Sequence, residues 1–260
     1  MKFTDDPTIL YPPCPDPNCG ESMSAGAAND GMMSAETGTL DTSTDVAFEV
    51  VVLDAQSGSD TTTTLPVSVD QVTSGQTYYL EVWVSDRGYI NTGLICAYVD
   101  LSFPGDVMSV VSISHGGIFT AVPTGSTGSS VIDELGGSVM AEGIGVEPQW
   151  ARVAVIEIYA DAVSPFVAFT LSPSSTGISA YGRGIIPWND IWLGSFTIAP
   201  PADLNKNGRV DFDDFAILAN QWRGTPGDPS ADIVPEAGDG EIDFFDLVLM
   251  VEYWLEGVNP

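Results

Sequence analysis

The chain carries one internal repeat, and that repeat constrains the fold more than any other feature. Asp211-Phe212-Asp213-Asp214-Phe215-Ala216-Ile217-Leu218 aligns without gaps on Asp243-Phe244-Phe245-Asp246-Leu247-Val248-Leu249-Met250, and Trp222 falls on Trp254. A period of thirty-two residues read twice marks one supersecondary unit used in tandem. Each copy opens on a loop rich in Asp, Asn and Gly and passes into a short apolar helix.

The first loop runs from Asp203 to Asp214. A hard cation such as calcium takes about six to eight oxygens. A twelve-residue loop supplies them from side chains at positions 1, 3, 5, 9 and 12 and a carbonyl at 7, with glycine at 6 for the turn. Asp203, Asn205, Asn207, Asp211 and Asp214 hold those side-chain places, Arg209 offers its carbonyl, and Gly208 makes the turn. Position 12 is Asp where a glutamate is usual. In the second copy the register puts Pro235 where the first aspartate should stand. Asp232 is therefore the expected first ligand of a loop three residues longer, with Asp239, Glu241, Asp243 and Asp246 completing it. The expected cofactor is two calcium ions.

Two aspartate-rich loops, each leading into a helix and ending in Asp at position 12, resemble a dockerin domain. The likeness covers roughly 201–258. It implies a small all-α, calcium-folded module whose usual task is to clasp a cohesin domain.

Upstream, the pattern changes to short β-branched and alternating runs at 46–53, 61–69, 77–85, 93–103, 107–113, 151–160, 166–171 and 192–198, separated by Gly and Pro turns. In 93–103, Ala97, Val99, Leu101 and Phe103 face one way and Cys96, Tyr98, Asp100 and Ser102 the other, the mark of a half-buried strand. Many such strands without a helix predict a mainly β, antiparallel sandwich. The alternating strand ending in Asp100-Leu101-Ser102-Phe103, the Pro104-Gly105-Asp106 corner, the 107–112 strand and the Arg152-Val153-Ala154-Val155-Ile156-Glu157-Ile158 strand resemble a cohesin domain over about 44–199. Phe103 departs from the family, which usually has aspartate before the corner proline. The resemblance implies a nine-stranded jelly roll whose flat sheet face receives a dockerin, with Tyr98, Asp100 and Ser102 on that face.

The expected organisation is an extended arm at 1–43, a sandwich at 44–199 and a calcium-binding module at 200–260. The arm is rich in Pro, Gly, Ser, Asn and Met and has too little apolar surface to order itself. Pro200-Pro201-Ala202 makes a stiff joint. The net charge of -29 repels nucleic acid and anionic membrane and attracts divalent cations. Residues 201–260 hold thirteen acids and three bases, a net of -10. No apolar run reaches the roughly eighteen residues of a membrane span. Residues 1–7 lack the apolar core of a signal peptide. The loop chemistry nevertheless suits an extracellular or cell-surface setting where calcium is plentiful, so a processed or partial chain is expected.

Cys14 and Cys19 bracket a short loop and suit a disulfide; two free thiols or half a metal site are the alternatives. Cys96, within an apolar strand, reads as a small packing side chain. The single histidine, His115, sits in a Gly turn, and no phosphate loop follows a strand, so the reading is not an enzyme. Trp150, Trp188 and Trp192 either cap the core or stack on sugar rings, which keeps a polysaccharide among the possible partners.

In the first helix Phe212, Phe215, Ala216, Ala219 and Trp222 form one stripe, expected to pack the module core. The second repeats it as Phe244, Leu247, Val248, Val251 and Trp254, then adds Phe245, Leu249, Met250, Tyr253 and Leu255. A helix apolar all round needs a cover, so Phe245, Leu249, Met250 and Tyr253 are the expected partner surface. The function expected from these features is a structural subunit that self-assembles head to tail into a filament, the module of one copy entering the sandwich of the next. The alternative is a scaffold or carbohydrate-binding component of a cellulosome-like assembly that docks on a different cohesin or dockerin partner.

Overall fold

The computed structural model describes residues 45–88, 92–140, 143–182, 184–235 and 238–255. The arm expected at 1–43 and the Cys14–Cys19 pairing lie outside the described residues. Twelve strands are described in place of the nine expected. They are β1 (Val46–Leu53), β2 (Thr61–Thr62), β3 (Gln71–Thr73), β4 (Thr77–Asp86), β5 (Leu94–Ser102), β6 (Met108–Ser114), β7 (Ala121–Thr127), β8 (Val131–Ser138), β9 (Trp150–Ala160), β10 (Ser164–Ala180), β11 (Gly184–Ile186) and β12 (Ile191–Ala199). Two helices follow, α1 (Phe212–Gln221) and α2 (Phe244–Glu252).

The strands form two sheets. One runs β1-β4-β9-β2, with β6 also on β9; the other runs β3-β12-β10-β5-β8-β7, with β11 on β10. Every pairing is antiparallel except β3 with β12. Alternation decides which face of each strand turns inward. Leu80, Val82 and Val84 of β4 meet Ala97, Val99 and Leu101 of β5 in one continuous core, joined by Ile156, Phe169 and Ile198. Phe103 is in that core too, so the corner of this chain is closed by an apolar side chain.

The outer face of the first sheet is also covered, which alternation alone did not foretell. Glu81, Trp83 and Arg152 point away from the core yet are buried. The segment after β1 folds over them: Ser57 donates from its N–H and hydroxyl to Glu81 at 2.8 Å each, and Arg152 Nη1 reaches Glu81 Oε1 at 2.6 Å. Trp83 Nε1 donates to the other Glu81 oxygen at 3.1 Å. Asp60 accepts from Arg152 Nε at 3.0 Å and from the Gly117 N–H at 2.7 Å, tying this segment to the β6–β7 turn. The strand expected over 61–69 is reduced to Thr61–Thr62, which pair with Ala151 and Trp150 of β9.

Behind the joint, Ala202, Leu204, Val210, Leu218, Ala231, Ile242 and Met250 form a separate small core under the two helices.

Candidate functional site

The repeat is reproduced in backbone and side chain alike. Asp211 and Asp243 cap α1 and α2, each accepting from the N–H two residues on, at 2.9 and 2.7 Å. Asp214 and Asp246 close the capping boxes by accepting from the cap N–H at 2.9 and 2.8 Å. Past the helices, Arg223 and Leu255 both take left-handed backbone (φ 55° and 65°). Arg223 N–H donates to the Ile242 carbonyl and Leu255 N–H to the Val210 carbonyl, at 2.9 Å each. Each helix end is thus fastened to the other copy's loop.

The loops follow the same plan. Asp203 Oδ1 accepts from Asn207 N–H at 3.1 Å and Oδ2 from Gly208 N–H at 2.8 Å. Asp232 accepts in the same way from Asp239 and Gly240, at 3.0 and 2.7 Å. Gly208 and Gly240, at φ 87° and 88°, make the tight turns that glycine alone adopts freely. Asn207 and Asp239 each accept from the N–H two residues on. Asp214 Oδ1 takes Asn205 N–H at 3.0 Å; Asp246 Oδ1 takes Ile233 and Val234 N–H at 2.8 and 2.9 Å. The longer second loop therefore starts at Asp232, and Val234 stands where Asn205 offers an oxygen in the first.

Asp203 is 7% exposed, and Asp214 and Asp246 are fully buried. The ion pairs among the described residues, Arg87 with Glu147 and Arg152 with Asp60 and Glu81, all lie in the sandwich. Burial raises the Asp203 carboxyl above its ordinary value, and the Asp214 charge adds to the rise. Buried carboxylates without a protein cation, held here by backbone N–H groups, leave room for a cation from outside. No three His, Cys, Asp or Glu side chains among the described residues are grouped so as to hold a metal by themselves. A cation cage here would also have to draw on Asn205, Asn207 and the Arg209 and Glu241 carbonyls, a hard all-oxygen set of the kind calcium takes.

α1 turns the opposite face inward from the one expected, whereas on the second copy Leu247 and Trp254 of the expected stripe do pack on the small core. Leu218 and Met250 are buried, while Phe212, Phe215, Ala216, Ala219 and Trp222 are exposed. The buried carboxylate at loop position 12 sets the rotation: Leu218 and Met250 lie four residues beyond Asp214 and Asp246, on the same helical face. Phe244, Phe245, Val248 and Val251 of α2 are also exposed. Of the expected partner residues, Phe245 stands free. Leu249 is half-buried, Tyr253 packs on the small core and Met250 belongs to it. Phe212 meets Trp254 edge to face at 5.1 Å, joining the two apolar faces.

On the sandwich, Ser102 is exposed, and Asp100 is half-buried, accepting from Glu134 N–H at 2.8 Å. Burial raises its carboxyl. Tyr98 is buried, its hydroxyl donating to the Val122 carbonyl at 2.9 Å, so it is a structural member of this sheet rather than part of an open face. Two residues with no motif around them stand out. Glu134 holds left-handed backbone at φ 53° and accepts from Thr176 N–H at 3.0 Å, bridging β8 to the irregular middle of β10. Phe166 stacks on Trp192 at 6.4 Å, both exposed, on the outer face of β10 and β12. Trp188 packs on Phe48, and Trp150 lies half-exposed under Arg87. His115 is half-buried, its Nδ1 without a hydrogen-bond partner, and burial lowers its pKa. Cys96 is disulfide-bonded rather than a simple packing thiol. No helix among the described residues is long and apolar enough to cross a membrane.

No protein-family model matches the chain, and no curated protein is similar to it. Among solved structures it is similar to a cohesin module of a family 33 glycoside hydrolase from Clostridium perfringens, at 8% identity over 61% of this chain and 99% of that one, TM-score 0.38. A type I cohesin from Pseudobacteroides cellulosolvens gives 12%, 59%, 92% and 0.36. A type I cohesin–dockerin complex from Clostridium thermocellum gives 12%, 64%, 97% and 0.35. These scores are below the level at which a shared fold follows, so the sandwich stands on its own strand order.

Proposed function

We propose that this chain is a non-catalytic assembly subunit. Its C-terminal module holds two calcium ions and seats an apolar helical face on a cohesin-type sandwich. In the leading form the receiving sandwich belongs to another copy of the same chain, and the contact, being heterologous, propagates head to tail as an extracellular filament. The observation that carries the reading is the conjunction in one small module of buried carboxylates in both loops, without an ion pair among the described residues, and exposed aromatic side chains on both helices.

Calcium would neutralise the loop charge and hold the helices in place. Asp203, Asn205, Asn207, Asp211, Asp214 and the Arg209 carbonyl would hold one ion. Asp232, Asp239, Asp243, Asp246 and the Glu241 carbonyl would hold the other. The chain's own residues do the recognition: Phe244, Phe245, Val248 and Val251 bury apolar surface in the joint. On the receiving side, Ser102 and the stacked pair Phe166 and Trp192 lie on the outer face of the β5-β10-β12 sheet. That exposed ring pair also favours a second reading, in which the sandwich binds a polysaccharide and the module docks on a different protein.

Electron microscopy of the full-length chain in millimolar calcium, repeated after chelation and with Phe245→Glu, separates these readings. Filaments that disperse on chelation and fail to form in Phe245→Glu are expected. Filaments that survive both changes refute the calcium-held plug. Monomers throughout move the reading to the foreign partner.

A further inference from the structure

The two loops are alike inside and unlike in what touches them. Asp203, the first residue of the first loop, accepts from the side-chain amide of Gln71, Nε2 to Oδ2 at 3.0 Å. Gln71 opens β3, the edge strand that runs parallel to β12, with Gln71 opposite Thr197. β12 ends at Ala199 and leads through Pro200, Pro201 and Ala202 straight into Asp203. The joint is compact: Ser74 N–H donates to the Ala199 carbonyl at 2.8 Å, Asp203 N–H to that of Pro200 at 3.1 Å, and Ala202 is fully buried in the module core. In the second loop Asp232 is half-exposed, and the contacts on its carboxylate come from its own loop, from Asp239 and Gly240.

We infer that Gln71 is a positioning residue for the first loop, coupling the cation held there to the seating of the module on the edge of the sandwich. The inference rests on the calcium reading above. The Asp203 carboxylate has its rotation fixed on one oxygen by Gly208 N–H and by the Gln71 amide together. A ligating carboxylate that is itself hydrogen-bonded from outside binds its metal more tightly, and loss of such a partner costs about 10- to 100-fold in affinity. The coupling runs both ways, because a contact made better in the filled state must favour filling by the same factor. Filling the first loop therefore stiffens the joint between sandwich and module; filling the second leaves it unchanged. For a subunit that assembles end to end, the angle of this joint sets the geometry of the assembly, so calcium would set shape as well as fold.

The test is a calcium titration of the full-length chain by calorimetry, in wild type, Gln71→Leu and Gln71→Asn, with hydrogen exchange followed on β3 and on residues 200–208. Gln71→Asn keeps the amide but is one methylene too short, and Gln71 is half-buried at a sheet edge and outside the hydrophobic core, so both variants spare the core. Two binding events are expected in wild type. Both variants should weaken one event by about 10-fold or more and leave the other within about 2-fold. Calcium should slow exchange at β3 in wild type and not in the variants. Two unchanged events in both variants overturn the role of Gln71 while leaving the calcium loops standing. A wild-type chain that takes up no calcium overturns both.

Discussion

Replacing Asp214 by alanine is the most direct test of how the module is held. Asp214 is fully buried and accepts two backbone N–H groups, Asn205 at 3.0 Å and Asp211 at 2.9 Å. Alanine leaves both donors unmet inside the loop, at about 1–3 kcal/mol each, so about 2–6 kcal/mol in all. A domain of about 60 residues has on the order of 3–9 kcal/mol to lose at ordinary stability per residue, and its core contains, among the described residues, only seven buried apolar residues, two of them alanine. The exposed neighbour Asp213, also in the first turn of α1, is the control, worth only about 0.3–1 kcal/mol through the helix dipole. Hydrogen exchange in chelator, read on α1, should accelerate by about 30-fold or more in Asp214→Ala and by less than about 6-fold in Asp213→Ala. Equal acceleration in the two variants would refute the claim that a buried carboxylate, and not helix electrostatics, organises the loop.

Arg152→Leu strands Glu81, which is fully buried, and should lower sandwich stability by about 3–5 kcal/mol in thermal unfolding, with Glu81→Gln added on top restoring part of it. A double variant no more stable than the single one argues against an ion pair as the fastening. Without calcium, the Asp203 carboxyl is raised above its unfolded value by burial and by Asp214. The folded module then binds that proton more tightly than the unfolded chain. This contribution grows as pH falls through the carboxylate range and is lost as pH rises through the folded pKa. In calcium the order reverses, since protons compete with the ion; parallel pH profiles with and without calcium contradict this. Cys96 is disulfide-bonded, so alkylation of the unfolded chain without reductant should leave it unlabelled, and a labelled Cys96 would show otherwise.

The parts of the fold that were legible in the sequence are those where one physical rule acts alone. β1, β4, β5, β6, β9 and β12 fall within about a residue of the β-branched or alternating runs that predict them. β7 and β8 were not legible, because their residues read as turns. Pro123 sits in an edge strand, where its missing N–H costs no pairing, and Gly136 is placed where any Cβ would overlap the Ala97 carbonyl. In the loops, the displaced start at Asp232 could be read because the glycine and the closing aspartates fix the register. The inward face of α1 could not be read from periodicity, and that of α2 only in part, through Leu247 and Trp254: both faces are apolar, and Leu218 and Met250 turn inward on the side of the buried carboxylate at the loop's end. Gln71 left no local signal, since its partner lies 132 residues away in sequence.

That long-range contact separates the two copies of the repeat in role. Local rules make them equal: the same caps, the same turn glycines, the same fastening of helix end to opposite loop. Position makes them unequal. The first loop is bound to the sandwich by chain and by Gln71, whereas the second is longer and lacks an oxygen donor where Asn205 stands in the first. Its helix exposes Phe244, Phe245, Val248 and Val251. Apolar surface of this extent is best spent where a partner can reach it without displacing the chain's own sandwich. On the proposed function, the first copy would serve as the anchor and the second as the plug. On that division, substitutions in the first loop should alter the geometry of assemblies that still form, and substitutions on α2 should prevent their forming.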